Sequence, residues 1–217
     1  MSRFRILLVE DEELAREALS DLLRRRIPEC DIDAFGDVAS AKTAIERLAA
    51  QSMPCDIAIL DFKLPKSLGE AAVEIDETLC HLVSSLMPDA IIVHITGWMK
   101  DEKVRHHLDT VHQPASAGFS FDKEEKDNVA DLIRRTKQTL YGRLIERELR
   151  GLESQTGAEG LRGREDLSAL STTGMMNRVC QDIETYWEDL HPALRARLEG
   201  LFGFEQQPDG SKKAYIK

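Results

Sequence analysis

Four apolar runs in this chain end in groups that can hold a cation or a phosphate. Glu10 and Asp11 follow Phe4–Val9, Asp61 follows residues 57–60, Thr96 follows residues 90–95, and Lys123 comes two residues after 118–121. Three carboxylates within a few ångströms repel by up to about 4 kcal/mol per pair at an intermediate dielectric. A hard divalent cation between them makes the set reasonable. Mg2+ suits it, because that ion takes a few carboxylate oxygens, keeps waters and recruits phosphate oxygens. The Thr96 hydroxyl and the Lys123 ammonium would then contact a phosphoryl group, by a hydrogen bond and by point charge. A carboxylate can also accept the phosphoryl group, giving an acyl phosphate. In-line transfer needs mainly positioning and charge neutralisation. Glu12 and Glu13 are read differently, as acids at a helix start, where the macrodipole favours negative charge.

The elements that must position these groups alternate along residues 1–125. Residues 4–9 are an almost continuous apolar run, as expected of a strand buried on both faces. Residues 13–26 carry Leu14, Ala18, Leu22 and Leu23 at helical spacing, and Pro28 stops the helix. Further strands are expected at 31–35, 56–61, 90–95 and 118–121, with helices at 40–50, about 70–86 and 101–111. Strands alternating with helices indicate β-α-β units and a five-stranded parallel sheet. Right-handed crossovers would make the α/β fold doubly wound. In such a sheet the functional crevice lies outside the carboxyl ends of the strands, where the four groups stand.

After Lys123 the pattern changes. Residues 124–152 read as one long helix with Val129, Leu132, Ile133, Leu140, Leu144 and Leu152 in a stripe. Gly151, Gly157, Gly160 and Gly163 suggest a linker. Met175, Met176, Val179, Ile183, Tyr186, Trp187 and Leu190 mark another helix, and Pro192 opens a further one. The polar tail from Glu205 is expected to be loose. The expected organisation is a domain at 1–150, a linker at 151–167 and an all-α extension at 168–217.

Composition narrows the function classes. The 217 residues carry a net charge of -10, with 42% hydrophobic and 31% charged residues. That balance disfavours general nucleic-acid binding, which needs Lys and Arg to displace counterions. Cys30, Cys55, Cys80 and Cys180 form no C-x-x-C pair and suit neither a zinc knuckle nor a disulfide framework. His106, His107 and His112 have no ligand partner at metal spacing and read as an exposed helix face. Neither a signal-peptide h-region nor an apolar stretch of about 20 residues is present, so the expectation is a cytoplasmic protein.

The acidic pair in V-E-D-E, then L-D-F-K-L-P, then I-T-G, then F-S-F-D-K occur in an order that resembles the receiver domains of two-component response regulators. The resemblance covers about residues 4–123. It implies a flavodoxin-like receiver in which Asp61 is the phospho-acceptor. Glu10, Asp11, Asp61 and the main-chain carbonyl of Lys63 would hold Mg2+, while Thr96 and Lys123 bind the phosphoryl oxygens. It also implies a bacterial phosphorelay, with a histidine kinase or phosphotransfer protein as donor. Three departures stand out: Glu124 replaces the proline usual after the lysine, Ser120 occupies the usual aromatic position, and the Asp61–Thr96 and Thr96–Lys123 intervals are long.

Three functions compete. The first is a phosphorylation-controlled switch, not an enzyme, acting through dimerisation or a protein partner of the C-terminal helices. The second is a DNA-binding regulator; residues 151–217 hold 8 Lys and Arg against 11 Asp and Glu, which disfavours it. The third is a Mg2+-dependent phosphohydrolase of the haloacid dehalogenase type. That class needs D-x-D after the first strand, and Glu10-Asp11-Glu12 lacks it.

Overall fold

A computed structural model describes residues 3–74, 78–97, 102, 104, 106, 119–122, 126–156, 170–208, 210 and 212–216. The chain divides into two compact units, residues 1–133 and 134–217.

The first unit is built on a parallel sheet. Its strands are β1 (Phe4–Val9), β2 (Cys30–Phe35), β3 (Ile57–Asp61), β6 (Ile91–Thr96) and β7 (Phe119–Asp122), in the order β2-β1-β3-β6-β7. Every neighbouring pair in it is parallel. The sequence reverses direction across the sheet between β1 and β3, which opens the crevice at their carboxyl ends. β3 is buried at all five positions, which accounts for its unbroken apolar run.

Helix α1 (Glu13–Arg26) begins directly after the acidic run and ends on Arg24, Arg25 and Arg26, so both ends complement its dipole. Helix α2 (Val38–Ala50) is capped by Asp37, whose carboxylate accepts from the Ser40 N–H at 2.9 Å and the Ser40 hydroxyl at 2.7 Å. Ala41, Ile45 and Leu48 of α2 meet Leu79 and Val83 of α3 (Thr78–Leu86) over Leu7, Val9, Ala58 and Leu60 of the sheet. That layer holds β1 and β3 side by side.

One expectation for this unit is corrected. The helix expected from residue 70 begins at Thr78. Before it, β4 (Lys63–Pro65) and β5 (Ala72–Glu74) form an antiparallel ribbon with Leu64 opposite Val73. The long Asp61–Thr96 interval therefore holds a ribbon before the helix. Of the helix expected at 101–111, Glu102, Val104 and His106 are helical, and the remainder lies outside the described residues.

Helix α4 (Lys126–Thr156) is one continuous element of 31 residues and runs across the division between the units. It passes through Gly151 where a linker was expected, and the expected boundary at 150 falls inside the helix. A Cβ on Gly151 would lie 3.0 Å from the Met175 methyl, so the glycine serves close packing against the next helix.

The second unit adds α5 (Leu170–Tyr186), a short 3-10 turn at Trp187–Asp189 and α6 (Pro192–Leu201). Pro192 is at the start of α6, where its missing N–H costs nothing. Val179, Ile183, Leu190 and Leu198 are buried, as are Leu144, Ile145, Leu149 and Leu152 of α4, and the Tyr141 and Tyr186 rings stack at 4.0 Å. The extension is not all-α and its tail is not loose. β8 (Phe202–Gln206) and β9 (Lys212–Ile216) form an antiparallel hairpin. The Ala214 N–H donates to the Glu184 carboxylate at 2.7 Å, and Phe204 lies against Trp187 at 4.4 Å. Gly203 is opposite Tyr215, whose ring fills the space a Cβ would take. Among the described residues no helix is long and apolar enough to cross a membrane.

Candidate functional site at the strand ends

The parallel register delivers the carboxylates to one place. Glu10 is the first residue past β1, and its N–H donates to the Phe35 carbonyl at 3.0 Å, which keeps it in line with β2. Asp61 is the last residue of β3 and is paired in register with Ile95 of β6. The next N–H, of Phe62, donates to the Ile95 carbonyl at 3.0 Å and fixes the chain beyond it. As a result, carboxylate oxygens of Glu10, Asp11 and Asp61 lie within 4.8 Å of one another.

Their burial differs. Glu10 is 1% exposed and Asp61 8% exposed, while Asp11 faces solvent. At the 4.8 Å limit the Glu10–Asp61 repulsion is roughly 3 kcal/mol at an effective dielectric of about 20. Two acids held so close and so dry form a poor resting arrangement by themselves and a suitable one around a divalent cation. The donor set is all oxygen, with one carboxylate left at the solvent edge, which fits Mg2+. The Lys63 N–H lies 3.4 Å from an Asp61 carboxylate oxygen, so the chain turns tightly after β3 and starts the ribbon at Lys63.

Thr96 ends β6, is fully buried, and pairs in register with Asp122. It is one residue beyond the position that pairs with Asp61, so the hydroxyl-bearing residue is at the same rim. Lys123, which follows β7, lies outside the described residues. So do the side chains of Phe119, Ser120 and Phe121, the neighbourhood of the expected switch.

The four adjacent acids take different places in the structure. Glu13 opens α1 and Glu12 is its N-cap, whereas Glu10 and Asp11 belong to the cluster. Sequence reasoning missed Arg16. From the first turn and a half of α1 its guanidinium donates to the Glu10 carbonyl at 2.7 Å and to the Asp11 carbonyl at 3.3 Å. It thereby clamps the backbone that carries both acids. Gly36, at the end of β2, leaves room for it: a Cβ there would lie 2.9 Å from the guanidinium. An arginine six residues after the first acid and a glycine closing the second strand were the only signals.

No protein-family model matches the chain, and no curated protein matches it significantly. Solved structures do. The N-terminal domain of an uncharacterized protein (WS1339) from Wolinella succinogenes is 17% identical over 66% of this chain and 98% of its own, with a TM-score of 0.50. A response regulator receiver protein from Sinorhizobium medicae is 15% identical over 63% of this chain and 94% of its own, with a TM-score of 0.47. The RcsB response regulator of Salmonella typhimurium, whose structure concerns DNA interaction, is 13% identical over 93% of this chain and 100% of its own, at 0.43. At these identities the likeness is one of fold. The chain shares its fold with the Wolinella succinogenes domain.

Proposed function

We propose that the chain is a response regulator of a two-component phosphorelay, accepting a phosphoryl group on Asp61. The observation that carries this reading is the convergence of Glu10, Asp11 and Asp61 within 4.8 Å at the carboxyl ends of β1 and β3. Glu10, Asp11, Asp61 and the Lys63 carbonyl would hold Mg2+, which when bound supplies positive charge against the carboxylates and the incoming phosphate. Asp61 offers a carboxylate oxygen to the phosphorus of a histidine kinase or phosphotransfer protein's phosphohistidine. The P–O bond forms as the P–N bond breaks, and the imidazole leaves. The Thr96 hydroxyl and the Lys123 ammonium would bind the phosphoryl oxygens. The helices of the second unit form the output, through a homodimer or a protein partner whose affinity differs between the two states.

A DNA-binding output is the second reading. It requires a basic recognition surface, and the excess of acids over bases in residues 151–217 disfavours it.

The experiment is incubation with Mg2+ and acetyl phosphate, followed by intact mass and peptide mapping. A single phosphate on Asp61, absent without Mg2+ and absent in Asp61→Ala, is expected. An unmodified wild-type protein, or equal modification of Asp61→Ala, overturns the reading.

A further inference from the structure

His94 is a buried base that the phosphoryl chemistry does not use. It is on β6, pairs in register with Leu60 directly before Asp61, and is 3% exposed. Its Nε2 lies 3.2 Å from the sulfur of Cys80 on α3, and Cys80 is half-buried, so a small reagent can reach it. The other three thiols are raised above the ordinary range. Burial pushes Cys55 up to about 12 and Cys30 to about 11; burial and the nearby Glu184 raise Cys180 as well. Cys55 meets the Met87 sulfur at 3.4 Å rather than a base.

We propose that Cys80 is a site of covalent modification, its thiol activated by His94 and oxidised by hydroperoxides. In the tautomer that leaves Nε2 unprotonated, the imidazole takes the thiol proton. The sulfur then attacks the distal oxygen of the hydroperoxide, forming an S–O bond as the O–O bond breaks. Sulfur loses two electrons and becomes a sulfenic acid, and the peroxide is reduced. The leaving hydroxide or alkoxide takes the proton back from His94 and departs as water or an alcohol. His94 is on the strand that ends at Thr96, two residues before it, and Cys80 meets it from α3.

The test is exposure of the full-length protein to hydrogen peroxide with dimedone as the trap, read by mass spectrometry at each cysteine. Cys180, also half-buried, is the internal reference. Cys80 is expected to label about tenfold faster than Cys180, and His94→Gln to slow Cys80 about tenfold while leaving Cys180 unchanged. Equal rates at Cys80 and Cys180 in the wild type overturn the proposal. So does an unchanged Cys80 rate in His94→Gln that retains the wild-type circular dichroism. Should that variant not fold, the wild-type ratio decides alone. The proposal is independent of phosphorylation at Asp61, so Asp61→Ala should label Cys80 as the wild type does.

Discussion

The ion pairs of the second unit and the strand-end rim of the first use acids in opposite ways. In the second unit the acids answer bases across elements: Asp189 holds Lys137 at 2.9 Å, Glu148 holds Arg178 at 3.4 Å and Glu146 holds Arg197 at 3.7 Å. At the rim of the first unit, Glu10, Asp11 and Asp61 face one another. Opposite charges set side by side knit a surface together and contribute modestly to stability. Like charges gathered in a dry crevice oppose folding, and such an arrangement persists where a ligand offsets it. The contrast separates charge used for architecture from charge held ready for chemistry.

The largest effect should come from dismantling the rim. Glu10→Gln with Asp11→Asn is expected to abolish Mg2+-dependent phosphorylation, while Glu12→Gln with Glu13→Gln leaves the rate within about twofold, since these acids serve the helix start. Phosphate incorporation from acetyl phosphate measures both. If the two double variants behave alike, the division of the acidic run is wrong.

The same contrast should appear in stability. Without Mg2+, Asp61→Asn is expected to raise stability by about 1–2 kcal/mol, because it removes a buried like-charge neighbour. It should also lose the Mg2+-induced rise in Tm expected of the wild type. Thermal melts with and without Mg2+ check this; a destabilised Asp61→Asn would break the comparison.

Within the second unit, Thr136 is fully buried and its hydroxyl has no hydrogen-bond partner among the described residues. Thr136→Val keeps the shape and is expected to add about 1 kcal/mol, or roughly 2–4 °C in Tm. Lys137→Met should cost less, about 0.5 kcal/mol, and the loss should fade in high salt, because both partners are partly solvated.

The thiols add a pH dependence. Folding raises Cys30 and Cys55 above the ordinary 9.0. Their contribution is therefore complete below pH 9 and is lost as pH rises through about 11 to 12. Denaturant melts across that window should show the loss, and Cys55→Ala should flatten it.

The sheet and its rim could be read from the sequence because long apolar runs ending in polar residues leave few other arrangements. The β4–β5 ribbon could not. Val73 and Leu79 fit a helical stripe as well as they fit two elements, and three-residue strands are too short to set a period. The C-terminal hairpin was obscured by its polarity. Its signal was the Pro208-Asp209-Gly210 turn sequence, and Gly210 does take a positive φ of 87°. Gly151 misled in the other direction. A glycine inside a helix costs about 0.5–1 kcal/mol relative to alanine, and only the tertiary approach of Met175 explains it.

Arg16 and Gly36 behave as a single heritable unit. The guanidinium that holds the backbone of Glu10 and Asp11 occupies space that a side chain at position 36 would contest. A combinatorial library that randomises position 36 alone, screened for phospho-acceptance, should return glycine. A library that randomises 16 and 36 together should return new pairs in which another donor reaches the same carbonyls from a different angle. A residue with no functional group of its own thus becomes a dial on the carboxylates it never touches.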